Sequence, residues 1–192
     1  MALTAAVSLV GFISKRARDA LALRPPLVAR GQAHRLLTAG LIHKDIGHLA
    51  TNMLVLWFFS RRVIRGLGEA RYAVLYVTAI IAAYLLSTVR FRKDPTYSSL
   101  GASGAVAAVM FSALVLDPLR TFRFPLLAVP IPAVVLGAAY VAYSVVHSWS
   151  NTDKINHDAH FTGALYGVAF TALFVPDKVK LSLEVLRRFV GW

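Results

Sequence analysis

Cysteine is absent from this 192-residue chain, which excludes disulfides and thiolate chemistry and leaves the redox compartment undetermined. Charge is scarce, at 16% Asp, Glu, Lys and Arg against about 25% in an average soluble domain. Acid is scarcer still, with 9 Asp and Glu against 21 Lys and Arg. No carboxylate falls inside an apolar run, so a buried Asp or Glu orienting a catalytic histidine is not expected. There is no HExxH, no internal repeat and no low-complexity tract. Residues 1–14 carry no Lys or Arg ahead of their apolar part, and the basic stretch Lys15, Arg16 and Arg18 follows it. That order is wrong for a cleaved signal and predicts an uncleaved first helix or a membrane-embedded start.

Apolar residues are abundant, at 57% with a mean hydropathy of +0.62. They gather into runs at about 2–14, 46–64, 71–89, 101–116, 126–147 and 159–175. A run of about 20 residues matches a hydrocarbon core of about 30 Å. The expected class is an all-α, multi-pass membrane protein with six transmembrane helices. Residues 1–176 would form the single membrane domain. In the tail, 177–192, Val179, Leu183, Leu186 and Val190 recur at helical spacing among Lys178, Lys180, Arg187 and Arg188. That pattern predicts an amphipathic helix lying on the membrane surface. The net charge of +12 would raise nucleic acid as a partner in a soluble protein. Here the basic residues fall in loops and at helix ends, where anionic lipid headgroups are the expected partners and nucleic acid is not.

The first run is short, since 13 residues at 1.5 Å each reach only about 20 Å. Residues 15–45 read as a long basic connection, too polar to span, with Leu36, Leu37, Leu41 and Ile42 dipping into the interface. Asp117 and Pro118 stop the fourth helix, and Pro125, Pro130 and Pro132 mark a bent approach to the fifth. The basic residues divide almost evenly between the two sides. Setting aside the 15–45 connection, the bias places the C-terminus in the cytoplasm.

Polar marks sit near the starts of runs two, four and six: His48 with Asn52, Ser103 between Gly101 and Gly104, and His160. These runs are parallel, because runs three and five return the chain each time, so all the marks share one depth near one face. Polar groups in membrane spans are costly and generally line a protein cavity. A hydrogen-bonded serine and histidine supply a nucleophile with its base. Gly101 and Gly104 allow close backbone approach and leave N–H groups free at a helix start for an oxyanion. Gly163 and Gly167, four apart, let two helices meet closely, which would bring His160 to Ser103. His48 and Asn52 lie on one helix face, and both can donate to an oxyanion.

In these motifs the chain resembles the rhomboid family of intramembrane serine proteases: His48-x-x-x-Asn52, Gly101-x-Ser103-Gly104, and Ala159-His160-x-x-Gly163-x-x-x-Gly167, in that order. Arg35 with His43 looks like the family's first loop, and Phe124 through Pro132 like its approach to the fifth helix. The resemblance covers about residues 35–175. It implies a six-helix bundle with a water-filled cavity, Ser103 as nucleophile, and His160 as base and then acid. It further implies an oxyanion site of His48, Asn52 and the Ser103 N–H, a cap at 148–158 and a gate in helix five. No cofactor or metal is implied. The expected substrates are single-span membrane proteins, cut near the extracytoplasmic face of a bacterial-type plasma membrane. One departure is Ala107, one turn after the serine, where the family often carries an aromatic ring against the histidine; Phe161 and Tyr166 are the candidate replacements. The first helix is also shorter than usual. Ser103 and His160 are both present, with Ala102 rather than proline before the serine, so an active enzyme is expected.

Other readings carry less weight. A rhomboid-like pseudoprotease would retain or deliver membrane clients without cutting them. A small transporter would place its polar groups at mid-depth and show a repeat. His157-x-x-His160 with Asp153 and Asp158 suggests a zinc site, but the spacing is explained by a loop-to-helix junction. Arg35 and His43 read as structural anchors of the loop rather than catalytic groups.

Overall fold

The computed structural model describes residues 1–122, 129–150 and 156–191, without the side chains of 143–150 and 190. Its helices are α1 (Ala2–Ile13), α2 (Lys15–Leu21), α3 (Pro25–Ala29), α4 (Arg35–Thr38), α5 (Ile46–Leu67), α6 (Glu69–Arg90), α7 (Ser103–Leu116), α8 (Ala133–Ser150), α9 (His157–Phe174) and α10 (Pro176–Val190). A 3-10 turn, Ala39–Leu41, follows α4. The fold is a helical, membrane-type bundle.

Local chemistry explains the boundaries. The Asp45 carboxylate accepts from the His48 N–H at 2.7 Å and caps α5, as an N-cap acid should. Gly68, at φ 85°, ends α5 and opens directly into α6, a conformation that costs glycine little. Asn156 caps α9 by accepting from the Ala159 N–H at 3.0 Å.

Helix α7 is apolar on every side and buried along nearly its whole length, as such a helix must be. It packs against α5, α6, α8 and α9. The core gathers around it from Leu56, Phe59, Val63, Leu75, Ile80, Ala83 and Phe170. At one end of the bundle α10 turns across it, bent 112° from α9. There the Lys178 ammonium donates to the Gly66 carbonyl at 2.7 Å and the Ser182 hydroxyl to Leu116 at 3.2 Å.

Several expectations need correction. The helix expected from 126 begins at Ala133. Before it, strands β1 (Thr121–Phe122) and β2 (Ile131–Pro132) pair antiparallel, an element that an all-α reading did not anticipate. The Ala133 and Val134 N–H groups donate to Arg120 and Pro118 carbonyls, so the helix starts where the proline run ends. Most of the segment from Phe124 to Pro132 lies outside the described residues. The 15–45 connection folds as α2, α3, α4 and the 3-10 turn. Ile42 does not dip into an interface: it is fully buried, and Leu36, Leu37 and Leu41 pack on the core.

The number of spans is also not met by helix length. Among the described residues, α6 is long and apolar enough to cross a membrane by itself, and α9 with α10 only as a bent pair. Helices α1, α7 and the first part of α8 are apolar but shorter.

Candidate active site

Ser103 is the first residue of α7 and His160 lies in the first turn of α9. The seam between those helices brings them together. A Cβ on Gly163 would lie 2.0 Å from the Gly104 carbonyl oxygen, and one on Gly167 would lie 2.1 Å from the Ala108 carbonyl oxygen. Neither contact is possible with a side chain, so backbone meets backbone there. The result is a Ser103 Oγ to His160 Nε2 distance of 2.8 Å. The serine hydroxyl can donate to a neutral imidazole across that distance.

Both residues line one cavity of about 1160 Å³ with His48, Asn52, Ala107 and Tyr140. His48 lies against the backbone two residues before Ser103, for a Cβ on Gly101 would meet its ring at 2.5 Å. Gly101 also takes φ 121°, so it has two reasons to be glycine. Asn52 is buried and gives one amide N–H to the His48 carbonyl at 2.8 Å, which leaves its second N–H.

The two N–H groups just before the serine are engaged. Gly101 donates to the Ala39 carbonyl at 2.8 Å and Ala102 to His43 Nε2 at 3.2 Å. The helix-start donors that have no intrahelical acceptor begin with Ser103 itself.

The segment leading to Ser103 is held by the region that read as a mere connection. Leu23 and Ser99 exchange backbone hydrogen bonds at 2.8 and 3.2 Å. Arg35, buried, donates to the Asp19 and Ala22 carbonyls and to the Gln32 amide oxygen, fixing the strip that carries Leu23. It is an anchor, as its position in the loop suggests. Tyr84 donates to the Gly101 carbonyl at 2.7 Å. Burial pushes the His43 imidazole down to about 4, with His48 nearby adding to the shift, so at neutral pH it stays uncharged.

Asp158, the acid nearest to His160 in sequence, reads as part of the loop before the last run but is helical. It sits in the first turn of α9, where the Arg90 guanidinium holds its carboxylate at 2.8 and 3.1 Å. Asp153, the other acid of the zinc reading, lies outside the described residues, as does most of the expected cap at 148–158. Among the described residues no group of three or more His, Asp or Glu is placed to hold a metal.

Among the described residues, the ring stacked on His160 is neither Phe161 nor Tyr166, and His157 meets His160 only edge-on, at 6.0 Å between centroids. The stacked ring is Tyr140 of α8, with ring centroids 5.9 Å apart and planes at 28°, while Tyr166 donates to Thr78. Sequence reasoning missed Tyr140 because it is one of two tyrosines in an apolar run, with Tyr143, and belongs to no motif. Asn156 was also missed, although its signal was legible: an Asn three residues before Ala159 is an N-cap pattern. Beyond capping α9, it accepts from Ser87 and donates to Ser99, both at 3.0 Å. It thereby ties the start of the histidine's helix to the segment leading to the serine.

The fold and this site define a helical, membrane-type protein with a serine–histidine pair inside a cavity. The chain belongs to the rhomboid family: it matches the Rhomboid domain over residues 30–177. It is 31% identical over 149 residues to RHOMBOID-like protein 12, mitochondrial, of Arabidopsis thaliana, covering 70% of this chain and 44% of that protein. It is 30% identical over 140 residues to the human presenilin-associated rhomboid-like protein, mitochondrial, covering 69% and 36%. It is 30% identical over 147 residues to Rhomboid protease GluP of Bacillus subtilis, covering 77% and 28%. The chain thus spans less than half the length of each of these relatives. The family is one of membrane proteins and includes a protease. With mitochondrial proteins among the relatives, a bacterial plasma membrane is not supported as the location.

Proposed function

We propose that the chain is an intramembrane serine endopeptidase that cleaves transmembrane proteins near one membrane face. The observation that carries this is the 2.8 Å approach of Ser103 Oγ to His160 Nε2 within a cavity that His48 and Asn52 also line. Ser103 Oγ attacks the peptide carbonyl while its proton passes to His160 Nε2. The negative charge on the carbonyl oxygen is met by donors from His48, Asn52 and the Ser103 N–H. His160 then gives its proton to the leaving amine, the C–N bond breaks, and an acyl-serine remains. Water attacks that ester, His160 takes its proton, and return of that proton to Ser103 Oγ releases the acid product. Tyr140 steadies the imidazole in place of an aromatic at position 107.

The same reading makes the apolar helices a six-span bundle, with the outward Leu54, Trp57, Val74, Ile81, Leu85 and Leu165, all exposed, facing lipid. Helix α7 has 14 residues and reaches about 21 Å, short of a core of about 30 Å. With its far end at one surface, Ser103 lies below the opposite one, and the cavity supplies the water that hydrolysis needs. The opposite face is the extracytoplasmic side, or the side equivalent to it in an organelle. Helix α10 lies at the interface among lipid headgroups, and α8 is the element that moves to admit a substrate helix.

A fluorophosphonate probe is expected to label the wild type and not Ser103→Ala. A panel of single-span substrates should yield products, located by mass spectrometry, that vanish in Ser103→Ala and His160→Ala. Wild type that neither labels nor cleaves in lipid would sink the enzyme reading and favour a client-binding pseudoprotease.

A further inference from the structure

Helix α1 lies outside the family match, which begins at residue 30, yet it reaches the nucleophile's backbone through a continuous chain of hydrogen bonds. The inward face of α1 is small and polar: Thr4, Ser8 and Gly11 are buried, while Leu3, Leu9, Val10 and Ile13 are exposed. Gly11 lets the helix close on Ile42, whose side chain would stand 2.6 Å from a Cβ there. That contact sets Ser8 beside His43, with Ser8 Oγ 3.0 Å from His43 Nδ1 and 3.3 Å from the Leu41 carbonyl oxygen.

Each hydrogen bond in the chain has only one possible direction. The Ala102 N–H can only donate, so His43 Nε2, 3.2 Å away, must be unprotonated. A neutral imidazole then carries its proton on Nδ1, which donates to Ser8 Oγ. The Ser8 hydroxyl proton in turn goes to the Leu41 carbonyl. Ser8 and His43 are both fully buried, so no solvent can stand in for either partner.

We infer that Ser8 is a positioning residue: by accepting from His43 Nδ1 it holds the tautomer whose Nε2 fixes the Ala102 peptide, and so the backbone that presents Ser103. Without the hydroxyl, the Nδ1 proton would be buried with no acceptor, a costly state. The ring would shift toward the Nε2–H tautomer, which places two donors, Nε2–H and Ala102 N–H, face to face. The peptide before Ser103 would then be pushed out of place.

This inference rests on Ser103 being the nucleophile, so its test carries one readout that depends on that reading and one that does not. The first is the rate of Ser103 labelling by a fluorophosphonate. The second is the His43 tautomer, read by nitrogen NMR of 15N-histidine protein in phosphatidylcholine vesicles, with His43→Gln assigning the signal. Wild type should show a single Nδ1–H tautomer. Ser8→Ala should label roughly tenfold more slowly, the worth of one buried hydrogen bond, and show Nε2–H signal. Ser8→Thr, which keeps the hydroxyl, should restore both. Ser8→Ala with an unchanged tautomer overturns the inference, whatever its labelling rate, and so does an altered tautomer with wild-type labelling. Wild type that never labels overturns the nucleophile reading instead, and the tautomer then decides the Ser8–His43 link alone.

Discussion

Against α7, helix α9 presents Gly163 and Gly167, and the two backbones meet with no side chain between them. Against α8 it presents His160 to the ring of Tyr140, at 5.9 Å between centroids. The first contact is rigid, because neither partner has a torsion that could absorb an added atom. The second depends on side chains, so it can loosen without moving a helix. On the proposed reading, the difference separates two tasks of the site: the glycine seam would set how far apart Ser103 and His160 stand, and Tyr140 of α8 would help to set how the imidazole is turned.

That division can be broken by substitution. Gly163→Ala should have the largest effect, since its methyl must displace the Gly104 backbone oxygen, only 2.0 Å away. Overpacking of this kind costs about 1–3 kcal/mol. Here it also parts the serine from the histidine, so thermal denaturation should show lower stability and labelling of Ser103 should be nearly lost. Tyr140→Leu should act less strongly. A ring pair contributes about 0.5–1.5 kcal/mol beyond burial, so kcat on a cleaved substrate should fall by up to about tenfold with the fold intact, and Tyr140→Phe should stay near wild type.

The smallest effect is expected from Gly137→Ala, on α8. Its methyl would press on the end of the Leu114 side chain, at 2.9 Å, which can rotate away, and would touch the Phe111 ring at an ordinary contact distance of 3.6 Å. The gain in helix propensity, about 1 kcal/mol, offsets that shift, so stability and activity should match wild type. A Gly137→Ala variant as damaged as Gly163→Ala would show that α8 is as rigid a partner as α7, and the division would fail.

Much of this was legible in the sequence. The starts of α5 and α9 carry capping residues, Asp45 and Asn156, and the runs that became α5, α6 and α9 were placed within a few residues. The four-residue spacing of Gly163 and Gly167 pointed to a close helix contact, and the motifs pointed to Ser103 and His160. The 15–45 segment was misread because its elements are too short to show a period: α3 and α4 each last little more than one turn. Its anchoring role rests on backbone bonds, from Leu23 to Ser99 and from Ala39 to Gly101, which leave no trace in residue type. The delayed start of α8 has a local cause, the prolines at 130 and 132, but the β1–β2 pairing that accompanies it is a contact across eight intervening residues.

By itself the sequence determined the helical, apolar character of the chain, the small-residue seam, and the absence of an acid in the apolar runs that could complete a triad. These are local properties, written in composition and in spacings of three and four. Only the tertiary structure decided that Asp158 pairs with Arg90, that Tyr140 stacks on His160, and that α1 reaches Ala102 through Ser8 and His43. Each of those joins residues from separate elements, and which surfaces meet is fixed by how helices pack, a property no single segment encodes.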